Sequence, residues 1–232
     1  MQDVKHFRSR AHAGVELARK LGDYGDAVNT IVVGLARGGV PVAVAVSEEL
    51  NLPCSVFISR KISKPEDRRC ALGAVTETGV VYLDQAVLRT EPWLSRALRR
   101  YIDEELWLRK NDAVWRCTYY RGAQPLPDFR DQTIITVDDG TFTGATFVAA
   151  LQSLRKLGAR RLIGGLPIAT EQAVEQIQRL ADELVVLIVP AKIESLEDYY
   201  DEFAELSDEE FATCLTARDR AMKEIAARKT AA

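Results

Sequence analysis

Apolar positions recur at helix and strand spacings along most of the chain. Residues 7–21 repeat every three or four positions, which predicts an amphipathic helix that Gly22 ends. Short apolar or β-branched runs follow at 30–34, 54–59, 78–83, 133–137, 162–166 and 184–189. Helical patterns lie between them at 40–50, 92–116, 147–157 and 171–180. Strands that alternate with helices predict a parallel sheet covered on both faces, so we expect an α/β domain.

The segment 40–50 fits both a strand and a helix pattern, and the segment 60–69 fits neither. The alternating valines of 40–46 suit a strand, whereas Pro41 suits the first turn of a helix and the run continues into 47–50, Ser-Glu-Glu-Leu. We therefore predict a helix that runs through Leu50. The basic, turn-rich stretch 60–69 has neither period, so we predict a mobile loop there.

The strand at 133–137 ends in two acidic residues and a loop rich in Gly and Thr. Asp138 and Asp139 are followed by 140–146, Gly-Thr-Phe-Thr-Gly-Ala-Thr, and then by a helical pattern. Free N–H groups at a helix start, with the hydroxyls of Thr143 and Thr146, can hold a phosphate. The two carboxylates can accept hydrogen bonds from the vicinal hydroxyls of a ribose. This loop therefore predicts a site for a ribose 5-phosphate.

The acidic loop has two other interpretations. Asp-Asp-Gly is also common in ordinary turns, and Thr143-Gly144 could simply cap a helix. The Asp-Gly-Thr string is similar to the phosphatase motif of haloacid dehalogenases, but Val137 stands where that motif has its nucleophilic Asp. The phosphatase interpretation therefore fails.

A second glycine-rich turn, at 34–39, also lies between a strand and a helix. Its backbone N–H groups and the guanidinium of Arg37 could bind a second anion, and its spacing does not match the dinucleotide motif G-x-G-x-x-G. A tight turn with an exposed Arg37 is the alternative. Two anion-binding strand ends in one parallel sheet suggest a ligand with two separated phosphate groups.

Composition and charge indicate the number of domains and the classes of partner that the chain does not favour. The 232 residues are 47% hydrophobic, enough for the core of one domain, and the net charge of −3 does not favour nucleic acid or anionic membranes. The chain start has no secretion signal and no apolar run could span a bilayer, so we expect a cytoplasmic protein. The four cysteines lack metal or disulfide spacing and predict free thiols: Cys54, Cys70, Cys117 and Cys214.

Taken together, these segments resemble the type I phosphoribosyltransferases, and most closely a subgroup whose substrate is uncertain. The similar segments are 7–10, 34–43, 60–62, 71–75, 138–146 and 199–200, so the resemblance covers nearly the whole chain. It implies a central parallel sheet flanked by helices in one domain, 1–232. It also implies a flap at about 60–79, a long helical insertion at about 92–116 and a hood-like C-terminal segment at about 190–232.

The resemblance assigns a role to each motif. Asp138 and Asp139 would hold the ribose hydroxyls of phosphoribosyl pyrophosphate, partly through water bound to Mg²⁺. The 5-phosphate would lie on the loop formed by Gly140, Thr141, Phe142, Thr143, Gly144, Ala145 and Thr146. The pyrophosphate group would lie on the turn formed by Ala36, Arg37, Gly38 and Gly39. Arg60 and Lys61 would close over pyrophosphate as it leaves, so these two residues and the acidic pair are the catalytic candidates.

The sequence departs from its relatives at two positions. Ala36 stands where the subgroup commonly has Pro. Phe142 stands where hypoxanthine-guanine enzymes have an Asp that assists proton transfer at the purine, and a phenyl ring cannot act as a general base. The hypoxanthine-guanine assignment is therefore disfavoured, and Phe142 would either stack on the acceptor or partly fill its pocket.

The segment 194–210 has nine acidic residues and no basic one. Within it, Tyr199 and Tyr200 are candidates for the acceptor side of the site, with ordinary packing as the alternative. Such an acidic hood would repel a phosphorylated acceptor and tolerate a neutral or cationic ring. Ser207-Asp208-Glu209-Glu210 has the form of a capping box and predicts a last helix.

We therefore expect a Mg²⁺-dependent enzyme. It would transfer the phosphoribosyl group from phosphoribosyl pyrophosphate to a small nitrogenous acceptor and release pyrophosphate. The alternative is a non-catalytic sensor that binds phosphoribosyl pyrophosphate, an interpretation that Phe142 favours. The family resemblance implies a homodimer, and neither nucleic acid nor a membrane is an expected partner.

Overall fold

The computed structural model describes residues 6–65, 71–90, 96–121, 125–204, 206, 207, 209, 211 and 213–216. Its six helices with bounds, within these ranges, are α1 Arg10–Lys20, α2 Gly39–Leu50, α3 Gln85–Thr90, α4 Arg96–Arg121, α5 Ala145–Lys156 and α6 Glu171–Gln178. The strands are β1 Thr30–Leu35, β2 Cys54–Phe57, β3 Ser59–Ser63, β4 Ala71–Thr76, β5 Val81–Leu83, β6 Thr133–Val137, β7 Arg161–Ile168 and β8 Glu183–Ile188. Short 3₁₀ turns lie at Gly22–Tyr24 and Glu197–Tyr199.

Five parallel strands form the central sheet in the order β2-β1-β6-β7-β8. Successive residues of each strand face opposite layers, because side chains alternate across a sheet. Ile31 and Ile134 pack with α5 and α6, whereas Val32 and Ile135 pack with α1 and α2. Both faces are therefore apolar and covered, and the predicted α/β sheet is confirmed.

The valine-rich segment forms helix α2, as predicted. Nine of its twelve residues are buried, so the helix has almost no polar face and its sequence resembles a buried strand. Asn51 ends the helix in the left-handed conformation, with φ of 52°.

The first helix is shorter than predicted. It begins at Arg10, because the side chain of Ser9 accepts a hydrogen bond from the N–H of His12 and caps the helix. The predicted helix includes Phe7, and that prediction is wrong: Phe7 is fully buried and forms an isolated bridge with Tyr200. The chain start is thereby joined to the hood-like segment.

The predicted mobile loop at 60–69 is partly wrong. Arg60 and Lys61 lie in β3, opposite Val75 and Ala74 of β4, in an antiparallel sheet of order β3-β4-β5. Pairing with β4 defines the strand, in which Ser59 and Ile62 are buried, Lys61 is exposed and Arg60 reaches the pocket described below. Residues 66–70 lie outside the described part of the chain. The predicted strand at 54–59 is divided in two, since β2 ends at Phe57.

The long helical insertion is observed as α4, which extends to Arg121, beyond the predicted end at Arg116. Its predicted start at Pro92 lies outside the described residues, and the short helix α3 was not predicted. Ile102 packs against the antiparallel sheet, and Ala113 and Tyr120 pack beside Val40 of α2. The insertion therefore bridges the two sheets.

The predicted C-terminal capping box is only partly described. The N–H of Phe211 donates to the carbonyl of Ser207, while Asp208 and Glu210 lie outside the described residues. Among the helices that are described, none is long and apolar enough to cross a membrane.

Packing of α1 on α2 depends on Gly14, which gives a first test of the fold. A Cβ at this position would lie 2.6 Å from the carbonyl oxygen of Val42 and 2.7 Å from the Cβ of Ala45. Gly14→Ala should therefore lower the free energy of unfolding by about 1–3 kcal/mol, despite the better helix propensity of alanine. Chemical denaturation measures this change.

Gly22→Ala is the matched control, because a Cβ there meets no atom within 4 Å. Its stability should stay within about 0.5 kcal/mol of the wild-type value. Equal stability of the two variants would contradict the close contact between α1 and α2.

Candidate active site

Two loops leave the same edge of the central sheet side by side. β1 and β6 are parallel neighbours, with Gly34 paired to Val137. The glycine-rich turn after β1 and the acidic loop after β6 therefore emerge at adjacent carboxyl ends, where ligands bind in open α/β sheets. Residues about a hundred positions apart in sequence thus form one crevice.

Contact between the two loops leaves no room for side chains on the glycines. A Cβ on Gly38 would lie 2.0 Å from Oδ2 of Asp139, and one on Gly39 would lie 2.7 Å from the carbonyl oxygen of Val137. The preceding peptide bond, between Ala36 and Arg37, is cis. Glycine is therefore required here for close approach of one backbone to the other.

The loop before α5 is shaped by its threonines. Gly144 has a φ of 73° and donates its N–H to Oγ1 of Thr141, while the N–H of Ala145 donates to Oγ1 of Thr143 at 3.4 Å. The hydroxyl of Thr170 donates to the carbonyl of Phe142 at 2.5 Å, which ties the loop to the start of α6. The start of a helix lined by hydroxyls is an environment that suits a phosphate.

The two acidic residues have different surroundings. Asp138 is half-buried, and its loss of contact with water, followed by the charge of Asp139, raises the pKa of Asp138 well above its usual range. Asp139 pairs with Arg10, with 2.7 Å between Oδ2 and Nε, and both side chains are nearly buried. Of the two adjacent carboxylates, Asp139 is the one that Arg10 contacts directly.

Arg10 connects the acidic pair to the hood-like segment. Its guanidinium lies 4.0 Å from the ring centre of Phe203, and its Nη1 donates to the carbonyl of Ala204 at 3.0 Å. No sequence motif indicated a role for Arg10. The contact with Asp139 spans 129 positions, so no local spacing could have indicated it.

A pocket of about 380 Å³ opens beside these loops. Four arginines from four parts of the chain line it, together with two carboxylates and three apolar side chains: Arg10, Arg37, Gly38, Arg60, Arg116, Asp139, Leu196, Glu197, Phe203 and Leu206. The guanidinium of Arg37 also donates to the carbonyl of Leu206. A pocket with more guanidiniums than carboxylates favours an anionic ligand.

Comparison with known proteins identifies the family. The model of the phosphoribosyl transferase domain matches residues 3–200. The chain belongs to the phosphoribosyl transferase family. A Mycobacterium tuberculosis protein named "Putative phosphoribosyl transferase" is 34% identical over 224 residues, which cover 96% of this chain. They cover 48% of that protein, so the chain spans about half the length of the curated relatives it matches.

A solved structure has a similar fold. The crystal structure of TT1426 from Thermus thermophilus is 34% identical and superposes with a TM-score of 0.72. The match covers 90% of this chain and 97% of that one. The predicted type I phosphoribosyltransferase fold is therefore confirmed.

Family motifs do not all converge on the arginine pocket. Arg37, Gly38, Arg60 and Asp139 line it, whereas Lys61 points from β3 to the surface. Asp138, which is half-buried, and the loop 140–146 are not among the residues that line it. The pocket therefore joins the predicted pyrophosphate turn to the start of the predicted flap.

The three aromatic residues predicted for the acceptor side are not among the residues that line this pocket. Phe142 is half-buried in its loop. Tyr200 is buried, stacks on Phe203 at 4.7 Å and donates its hydroxyl to the carbonyl of Asp139 at 2.5 Å. Burial, with the charge of Asp139, raises the pKa of the Tyr200 phenol. Tyr199 packs in the same apolar cluster.

Metal-binding side chains do not cluster in the described residues. No group of three or more His, Cys, Asp or Glu side chains there could enclose a metal ion. Cys54, Cys117 and Cys214 form no disulfide in the part of the chain that the structure describes, and Cys70 lies outside it. A metal at this site would therefore depend on the acidic pair, ligand oxygens and water.

Opposite effects on stability are expected from amide substitutions at the two acidic positions. An acid with a raised pKa in the folded state is harder to ionise there than in the unfolded chain. The free energy of unfolding therefore falls as the pH rises above the unfolded pKa of Asp, about 3.9. Asp138→Asn should raise the melting temperature near pH 7 by about 2–4 °C, and the gain should disappear below about pH 4.

Asp139→Asn is the matched comparison at the neighbouring position. It removes the anionic partner of Arg10, so it should lower the free energy of unfolding by about 1–3 kcal/mol near pH 7. Thermal unfolding followed across pH tests both variants. A shift of the same sign in both near pH 7 would contradict the different environments of the two carboxyl groups.

Proposed function

We propose that the chain transfers the phosphoribosyl group from phosphoribosyl pyrophosphate to a nitrogenous acceptor and releases pyrophosphate. One observation carries this proposal: the glycine turn after β1 packs directly on the acidic pair after β6, beside a pocket lined by four arginines. A ligand with a diol between two phosphate-bearing ends fits such a crevice, and family membership supports the same donor.

The donor would lie across both loops. The loop 140–146 would hold the 5-phosphate through backbone N–H groups and threonine hydroxyls. Asp138 and Asp139 would accept hydrogen bonds from the ribose hydroxyls. The turn 36–39 would hold the pyrophosphate group, with Arg37 and Arg60 already at the pocket and Lys61 able to approach from β3.

Leaving-group stabilisation would be the main contribution of the protein to catalysis. As the acceptor nitrogen forms its bond to ribose C1, the bond between C1 and pyrophosphate oxygen breaks, its electron pair goes to pyrophosphate, and positive charge develops transiently at the ribose. The guanidiniums of Arg37 and Arg60 would stabilise the negative charge on pyrophosphate. The carboxylate of Asp139 would stabilise the positive charge at the ribose. Because these groups are held by neighbours, little reorganisation is needed during the reaction.

A magnesium ion fits the donor set at Asp138 and Asp139. Carboxylate oxygens are ligands that Mg²⁺ prefers, and this ion commonly keeps several waters and uses few protein ligands. When bound, it would neutralise charge on the pyrophosphate group. Arg10 competes for one of the four carboxylate oxygens, which favours contact through bound water.

Acceptor recognition is assigned to aromatic residues near the crevice. Phe142 would place an apolar ring beside the reacting face, and Tyr199 and Tyr200 would support the hood next to it.

We also propose a homodimer, supported by the apolar side chains that α4 exposes: Trp107, Leu108, Val114, Trp115 and Tyr119.

Calorimetric titration with phosphoribosyl pyrophosphate and Mg²⁺ tests the proposed donor. The double variant Asp138→Asn, Asp139→Asn should weaken binding by at least about 100-fold, because a charged hydrogen bond contributes roughly 1.5–3 kcal/mol. Asp128→Asn removes an exposed carboxylate that pairs with Arg130 far from the site, and this control should bind as the wild type does.

Pyrophosphate release across nucleobases and other ring nitrogen acceptors then tests transfer. Release with one acceptor class supports the enzyme. Tight binding with no release from any acceptor supports the sensor instead. Absence of binding, or binding unaffected by the double substitution, would contradict the proposed site.

A further inference from the structure

The carboxylate of Asp112, on the helical insertion α4, joins two arginines from different elements. Its Oδ2 forms an ion pair with Nε of Arg60 on β3, 2.6 Å away, without the angle of a hydrogen bond. Nε of Arg116, one turn further along α4, lies 3.0 Å from both oxygens of the same carboxylate. Both arginines line the pocket, so the insertion contributes directly to the site.

The three charges form a cationic group with restricted geometry. Arg60 and Arg116 keep only 26% and 19% of their side-chain surface exposed, and Asp112 keeps 28%. Burial, followed by the charge of Arg116, lowers the pKa of Arg60. One carboxylate is shared by two guanidiniums, so the group keeps a net positive charge beside the pocket.

Arg116 is oriented by two neighbours on its own helix. Asp112 fixes the Nε side of its guanidinium, and Nη1 donates to the hydroxyl of Tyr120, which is itself buried. A guanidinium has five N–H donors in a planar fork, which suits two oxygens of a phosphate. Arg116 therefore meets the pocket with its conformation already set.

We propose that Arg116 binds the pyrophosphate group of the donor, and that Asp112 positions Arg116 and Arg60 together for this task. The inference rests on the proposed function, which supplies the pyrophosphate. It adds a binding residue from the helical insertion, which none of the motif segments includes. The insertion would thus be part of the leaving-group site.

Full-length Arg116→Gln, titrated separately with inorganic pyrophosphate and with ribose 5-phosphate in the presence of Mg²⁺, tests the assignment. Pyrophosphate affinity should fall by at least about 10-fold, the effect of losing one charged hydrogen bond of roughly 1.5 kcal/mol. Ribose 5-phosphate affinity should stay within about twofold, because that ligand lacks the group that Arg116 contacts.

Arg100→Gln is the matched control on the same helix. Arg100 also pairs with a carboxylate four positions away, Glu104, and is 81% exposed. It should leave both affinities unchanged. Arg116→Lys keeps the charge without the planar fork, so its pyrophosphate affinity should lie between those of the wild type and Arg116→Gln. It also serves as the test if Arg116→Gln does not fold.

Two results would overturn the assignment while leaving the proposed function intact. One is wild-type pyrophosphate affinity in Arg116→Gln. The other is an equal loss of both ligands, which would show a structural role for Arg116. A wild-type protein that binds neither ligand would instead contradict the proposed function itself.

Discussion

The pairing of β1 with β6 is the constraint on which the site depends. Because these strands are parallel neighbours, their carboxyl ends place the glycine turn and the acidic loop in contact. The contact is so close that Gly38 and Gly39 cannot carry a Cβ without striking the acidic residues or the backbone beside them. Both loops therefore behave as one rigid surface, to which the flanking elements add charge.

Charge at this surface is only partly balanced within the protein. Asp138 is half-buried beside a second carboxylate, an arrangement that opposes folding when both are ionised. Arg10 offsets one carboxylate, while Arg37, Arg60 and Arg116 give the pocket an excess of cations. A crevice that carries both carboxylates and guanidiniums suits a ligand that has both hydroxyls and phosphate oxygens.

Local patterns were sufficient to predict the sheet and both loops. Each strand of the central sheet is a short apolar run, and each site loop lies at a strand end, so 36–39 and 138–146 could be recognised without tertiary information. The helix α2 was also predicted, because Pro41 distinguished a buried helix from a strand. These features depend on residues that are close in sequence.

Other features depend on contacts between distant parts of the chain. Arg60 and Lys61 were predicted to lie in a loop because the stretch 60–69 is basic and turn-rich, whereas pairing with β4 makes 59–63 a strand. Arg10 reaches Asp139 across 129 positions, and Arg116 belongs to an insertion with no recognisable motif. The sequence therefore predicted the two loops of the site but missed half of its arginines.

A crystal structure of this protein with phosphoribosyl pyrophosphate and Mg²⁺ tests the central claim most directly. We expect the ribose hydroxyls at Asp138 and Asp139, the 5-phosphate on the loop 140–146, and the pyrophosphate group between the turn 36–39 and Arg60. Donor bound outside this crevice, or with its two phosphate ends exchanged between the loops, would contradict it.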